Sequence, residues 1–279
     1  MDDFTHGKAV ELAPGVRRVV APNPGVMTGP GTNSYLLGIK NVTVLDPGPA
    51  DAEHAAAILG AVEAGGGKLV QIVTTHTHPD HSPCAALLQE KTGATVIGAV
   101  IAQDGFQDES FSPDREPTHD EIIDVDGDAL RAIYSPGHVG NHFCYLHERS
   151  GLLFTGDHVM QGSTVVIIPP AGDMKDYIDS LRRMLDYPLK FIAPGHGGLI
   201  AEPAKELDYL VKHRLKREAK VADKLAAFEQ VMLDELVLSV YDDVDPSLHP
   251  AAQYSLLAHL LKLEKEGRAM RNGDNWSLI

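Results

Sequence analysis

The residues best placed to do chemistry are Thr75-His76-Thr77-His78-Pro79-Asp80-His81. Three imidazoles and a carboxylate fall within six positions, directly after Leu69-Val-Gln-Ile-Val-Thr74, an apolar run that reads as a strand. In an extended segment His76 and His78 project to the same side, so both can reach one cation. Asp80 and His81 open the next helix and can reach a second cation nearby. Imidazole with carboxylate suits zinc, and also iron or manganese. A lone histidine is ordinarily a surface or core group, and Asp80 by itself could cap a helix. Four such side chains at this spacing read instead as metal ligands.

Three distant positions offer the same chemistry. His138 stands in Ser135-Pro-Gly-His138, Asp157 in Phe154-Thr-Gly-Asp157, and His196 in Pro194-Gly-His-Gly197. Each follows a short strand-like run on a glycine-containing turn, where loops at strand ends gather functional groups on a rigid sheet. Singly, a Gly-Asp turn is an ordinary turn former. Asp46, ending Asn41-Val-Thr-Val-Leu45, has two readings: a carboxylate that orients a ligand histidine, or a turn residue before Pro47-Gly48. His6, His54, His119, His213, His249 and His259 have no such context and read as ordinary surface or core groups.

The elements that must position these residues alternate between β-branched runs and amphipathic helical stretches from Lys40 to Pro194, which predicts layered α/β packing. Strands are expected at 41–45, 69–74, 129–134, 142–147, 152–155 and 190–193, and helices at 51–64, 82–91 and 177–185. Residues 102–128 carry ten carboxylates against Arg115 alone and read as a solvated loop and turn. Within them Asp124-Val-Asp-Gly-Asp128 is similar to a calcium loop but lacks its spaced ligands and closing Glu. The tail predicts helices at 204–227, 233–241 and 251–266, then a hairpin about Asn272-Gly273. Two domains are therefore expected, 1–202 and 203–279, the second winged-helix-like.

The net charge of −15 disfavours indiscriminate binding to nucleic acid, which depends on basic residues neutralising phosphates. The excess sits almost wholly in the first part, with 13 basic and 26 acidic residues up to Glu202 against 11 and 13 beyond it. Two cysteines, Cys84 and Cys144, argue for buried thiols rather than a disulfide framework. No apolar run is long enough to cross a membrane. The start, Met1-Asp2-Asp3-Phe4, lacks the basic and apolar regions of a secretory signal, so a cytoplasmic location is expected.

The set His-x-His-x-Asp-His, Pro-Gly-His, Thr-Gly-Asp and Pro-Gly-His, in that order over residues 15–200, resembles the metallo-β-lactamase superfamily. That resemblance implies a four-layer αββα sandwich. It also implies that His76, His78 and His138 hold a first metal, that Asp80, His81 and His196 hold a second, and that Asp157 bridges them. It places His142 behind the ligands rather than among them. Asn23-Pro24-Gly25, Gly31-Thr-Asn-Ser-Tyr35, Leu45-Asp-Pro-Gly48 and the helical tail are similar to the β-lactamase-like hydrolases that include a mitochondrial single-strand endoribonuclease. Pro83-Cys84 and Asn141 depart from the glycines common at those places in the family.

The implied reaction is hydrolysis. Two divalent ions, zinc foremost, clamp a water and lower its pKa, so that a metal-bound hydroxide attacks an ester-type centre. Asp80 is the candidate to orient that hydroxide. The first expected substrate is the phosphodiester of single-stranded RNA, supported by the subfamily resemblance and by the basic residues of the helix at 204–227. The second is a small-molecule ester or thioester, as in glyoxalase-II-like relatives. A third reading is a non-catalytic metal-binding protein, against which the intact ligand set argues.

Overall fold

The computed structural model describes residues 3–102 and 104–279. Met1 and Asp2 of the acidic start, and Gln103 in the carboxylate-rich stretch, lie outside the described residues. Two compact units are present. One comprises residues up to Ser135, Asn141–Ser163 and Tyr187–Pro203; the other comprises Pro136–Gly140, Thr164–Asp186 and Ala204–Ile279.

The first unit is a sandwich of two mixed sheets. Strands β1 (Val10–Ala13), β2 (Val16–Val20), β3 (Asn33–Leu37), β4 (Asn41–Leu45), β5 (Lys68–Val73) and β6 (Thr95–Ile97) form one sheet in that order. It is antiparallel up to β4 and parallel from β4 to β6. Strands β7 (Ile122–Val125), β8 (Asp128–Tyr134), β9 (Phe143–His147), β10 (Leu152–Gly156) and β11 (Phe191–Pro194) form the second, antiparallel except for the parallel pair β10–β11. Alternating side chains of both sheets, among them Tyr35, Leu45, Val73, Tyr145 and Phe154, interlock in the core between them. Helices α1 (Ala52–Ala64) and α2 (Cys84–Thr92) cover the outer face of the first sheet through Ile58, Val62, Cys84 and Leu88. Asp51 caps α1 by accepting from the His54 amide, and Gly93 closes α2 in the left-handed conformation.

Helix α2 begins at Cys84, so Asp80 and His81 lie on the turn before it rather than in its first turn, as the sequence suggests. The His81 amide bonds back to the His78 carbonyl at 3.0 Å, and Pro83, with φ −61°, stands at the N-cap of the helix. The stretch 102–128 also holds more order than expected. It contains β7, and the Asp126 carboxylate accepts from the amides of Ile39, Lys40 and Asn41 at 2.9–3.0 Å. Those three donors hold its pKa below the ordinary value and spend the group that calcium would have needed.

The second unit contains α3 (Met174–Met184), α4 (Pro203–Leu225), α5 (Leu233–Val240) and α6 (His249–Lys265), with a small sheet of β12 (Val231–Met232), β13 (Ala269–Asn272) and β14 (Asn275–Leu278). Its core gathers Val221, Leu236, Leu256, Leu260 and Trp276, the last almost fully buried on the terminal hairpin. Helices followed by a paired hairpin are the winged-helix arrangement expected of the tail. Cys84 and Cys144 are free and buried, and burial pushes both thiols up to about 12. No helix among the described residues is long and apolar enough to cross a membrane.

Candidate metal centre

The parallel arrangement of β4 with β5, and of β10 with β11, brings the C-terminal ends of these strands to one rim of the sandwich. Backbone bonds sew the two sheets together there: the Phe143 amide to the Thr75 carbonyl and the Asn33 amide to the Gly195 carbonyl, each 2.8 Å. Asp46 follows β4, His76 to His81 follow β5, Asp157 follows β10 and His196 follows β11.

The structure brings together two groups of donor atoms on this rim. His76, His78 and Asp157 offer ligand atoms within 4.8 Å of one another, and Asp80, His81, Asp157 and His196 do the same. As the extended segment predicts, His76 Nε2 and His78 Nδ1 converge to 3.0 Å. His81 Nε2 lies 3.3 Å from Asp157 Oδ1 and 3.6 Å from Asp80 Oδ2, and His196 Nε2 lies 3.2 Å from each of the same oxygens. Donors about 2.1 Å from a tetrahedral cation would sit about 3.4 Å apart, close to these separations.

Asp46 orients one imidazole from each group. Its Oδ2 accepts from His81 Nδ1 at 3.0 Å and from the Thr75 hydroxyl at 2.8 Å, and that hydroxyl lies 2.9 Å from His76 Nδ1. With the hydroxyl proton given to Asp46, Thr75 Oγ1 accepts from His76 Nδ1. Both rings therefore keep their Nε2 lone pairs for the rim. Asp46 also accepts from the Thr75 amide at 2.7 Å, and its own φ is 50°. The cost of that left-handed backbone is offset by three bonds to one carboxylate. His142 is buried and stacks on His76 with ring centroids 5.0 Å apart; its Nδ1 lies 3.3 Å from Ser135 Oγ.

The electrostatics fit a cation. Once Nδ1 of His81 donates to Asp46, its Nε2 faces two carboxylates without an acceptable hydrogen bond. Lone pair against carboxylate is repulsive unless a proton or a metal lies between them. Burial pushes His81 down, but Asp80, Asp157 and Asp46 outweigh it and raise the ring well above its ordinary value. His196 is likewise pushed up to about 9, Asp157 outweighing burial. Burial raises Asp157, but His196 and His81 hold it well below the carboxylate range; Asp80 is lowered in the same way, by His81 first. His76, in contrast, is pushed well below its ordinary value by burial and by the other imidazoles, so it is a neutral donor. Packing also reserves the space: a Cβ on Gly195 would meet His81 Cε1 at 2.7 Å and Asp157 Oδ1 at 3.0 Å.

His138 is carried by the second unit. Its Nδ1 donates to the Val166 carbonyl at 2.9 Å, which again leaves Nε2 as the lone-pair nitrogen.

Sequence reasoning missed the groups that clamp the His76–His81 segment from behind. Asp108 Oδ2 accepts from Ser82 Oγ at 2.6 Å, and the Asp108 amide donates to the Thr77 carbonyl at 2.6 Å. Thr77 Oγ1 bonds Gln107 Oε1 at 2.6 Å, while Asn141, the departure from the family's glycine, donates to Thr77 Oγ1 and the Ala99 carbonyl at 2.7 and 2.9 Å. No local pattern in the carboxylate-rich stretch could reveal pairings made across such sequence distances. Asp108→Ala is expected to weaken metal binding about tenfold, the lower end for partners that orient ligands. Titration against a chromophoric chelator checks this, and unchanged affinity would leave Asp108 a loop residue only.

The sequence profile of the metallo-beta-lactamase superfamily matches residues 27–196, and that of the beta-lactamase associated winged helix domain matches 233–276. A beta-lactamase-like protein 2 homolog of Drosophila melanogaster is 32% identical over 268 residues, 92% of this chain and 90% of its own. An atrochrysone carboxyl ACP thioesterase of Passalora fulva is 27% identical over 240 residues, 83% of this chain and 69% of its own. In three dimensions, a metallo-beta-lactamase family protein from Thermus thermophilus superposes with a TM-score of 0.79 at 22% identity, covering 96% of this chain and all of the other.

Proposed function

This chain belongs to the metallo-beta-lactamase superfamily of hydrolases, and within it we propose that it hydrolyses carboxylic thioesters carrying an apolar acyl group. The observation that carries this reading is the hollow beside His196. It measures about 320 Å3 and is lined by Phe4, Val26, Met27, Pro30 and Met160 together with Gln161 and Ser163. Val26 is 94% and Met27 60% exposed, apolar surface left beside the rim. No lysine or arginine lines it among the described residues. A nucleic-acid backbone needs cations along its path, whereas an acyl chain needs apolar walls. Several basic residues of α4 are already engaged: Arg217 with Asp243 at 2.7 Å, Lys220 with Asp242 and Asp243, and Arg214 buried. The relative named as an acyl carrier thioesterase supports the same substrate class.

In this reading His138 with His76, His78 and Asp157 would hold one cation, and Asp80, His81, Asp157 and His196 would hold another. Zinc is the first choice of metal, with iron or manganese as alternatives. Such a pair supplies Lewis-acid polarisation and makes a neighbouring water easier to deprotonate. Asp80, at 27% side-chain exposure against 15% for Asp157, stands on the solvent side and takes the proton of the attacking water. It later returns that proton to the departing thiolate, so that thioester and water become carboxylic acid and thiol. The apolar hollow seats the acyl group and excludes water from it.

The test is a substrate panel on one metal-analysed preparation: acyl-pantetheine thioesters of increasing chain length, a lactone, bis-p-nitrophenyl phosphate, nitrocefin and a short single-stranded RNA. Thiol release should dominate, and Met27→Glu should raise KM for the longer acyl chains about tenfold with kcat little changed, as loss of apolar burial requires. RNA cleaved faster than every thioester would overturn the assignment.

A further inference from the structure

We propose that Arg214, on the long helix of the tail, is a positioning residue for the His138 imidazole and so sets the affinity of one cation position. The inference rests on the reading of His138 as a ligand. Arg214 is only 3% exposed, and no carboxylate lies within ion-pair distance of it among the described residues. Its Nε–H has no hydrogen-bond partner among the described residues. A buried guanidinium without a counter-charge is costly, so the contacts that it does make must matter to the unit.

Among the described residues its side chain makes one hydrogen bond and one ring contact, and both lead to His138. Arg214 Nη2 donates to the Val165 carbonyl at 2.6 Å, one residue before the Val166 carbonyl that orients the His138 ring. The guanidinium also lies over the Tyr177 ring, 5.2 Å from its centroid. Tyr177 is the floor of the His138 loop: a Cβ on Gly137, whose φ is 142°, would fall 2.2 Å from Tyr177 Cα. The same loop is tied down by the Asp173 amide on the Gly137 carbonyl at 2.9 Å and by Ser180 Oγ on the Pro136 carbonyl at 2.8 Å. One side chain of α4 thus braces both the carbonyl that aims the imidazole and the helix residue on which its backbone rests. Groups that fix the tautomer and direction of a ligand histidine commonly govern metal affinity. The tail would then contribute to the centre through ligand geometry, whether or not it touches substrate.

The experiment measures both metal equivalents of the full chain by competition with a chelator, and the visible spectrum of the cobalt-substituted protein, for Arg214→Met, Arg214→Lys and His138→Ala. The expected result is that R214M loses about 10- to 100-fold in affinity for the one equivalent that H138A abolishes. The other equivalent should be unchanged and the cobalt spectrum altered, with R214K recovering part of the loss. Wild-type affinities and spectrum in R214M, alongside loss of an equivalent in H138A, would overturn the role of Arg214 alone. Retention of both equivalents by H138A would overturn the ligand reading and the inference with it. Should R214M fail to fold, R214K decides: reduced affinity for that one equivalent supports the role, and wild-type affinity overturns it.

Discussion

Asp157→Ala is expected to lower hydrolytic turnover by at least about a thousandfold and to strip most of the bound metal. Asp157 is the one side chain common to both groups of donor atoms on the rim. It is also the carboxylate that His81 and His196 approach together, at 3.3 and 3.2 Å. Removing it would withdraw negative charge from both of the proposed cation positions at once, whereas losing a single imidazole would withdraw one neutral donor from one of them. A thousandfold corresponds to about 4 kcal/mol, within the several kcal/mol that cations supply to developing charge. Asp157→Asn keeps the shape and one oxygen donor but removes the charge, so it should fall between wild type and alanine. Metal content by mass spectrometry and thiol release on the best thioester are the measurements. An alanine variant that kept both equivalents and turned over within tenfold of wild type would show that this carboxylate does not hold the centre.

Much of this rim was legible in the sequence because its signals are local. His76 and His78 converge because alternate side chains of an extended segment share a face, and the glycine-flanked Asp157 and His196 each sit where a short strand ends. The strands expected at 41–45 and 152–155, the second running one residue further to Gly156, and the tail hairpin were equally legible, from β-branched runs and from the Asn272-Gly273 turn. What could not be read is what depends on long-range pairing. Strands β2 and β3 carry buried polar residues that break alternation. Asn33 is wholly buried because its amide donates to the Pro194 and Gly197 carbonyls at 2.9 Å, holding the His196 loop. Arg18 is buried against Phe4 and reaches the Gly197 carbonyl at 3.3 Å. Asp108 and Gln107 look like solvated loop residues until the fold lays them on Thr77 and Ser82. Asp46 had two readings, because whether a turn carboxylate orients a ligand depends on where His81 and Thr75 come to lie.

The rim's ionisation gives the second large effect, a loss of stability with rising pH that only the metal-free protein should show. Burial pushes His196 down, but Asp157 and Asp80 outweigh it and carry it up to about 9; His81 is raised well above its ordinary value by Asp80, Asp157 and Asp46. A group whose folded-state pKa exceeds its unfolded value stabilises fully below the unfolded pKa, about 6.5 for histidine, and that stabilisation is lost as pH climbs through the folded value. For His196 the window therefore runs from about 6.5 to about 9, and the contribution is about 3 kcal/mol at most. The chelator-treated protein should lose about 5–10 °C of Tm across that window. Cations would occupy the places of those protons, so the loaded protein should show no such fall. By the same linkage, binding near pH 7.5 should release protons, and metal affinity should rise with pH over the same range. Calorimetry in two buffers of different ionisation enthalpy counts the protons, and scanning calorimetry with and without chelator gives the Tm profiles. His196→Asn should blunt the fall. If the chelated protein holds a flat or rising Tm from pH 6.5 to 9, protons do not bridge these imidazoles and carboxylates, and the charge balance described for the rim fails.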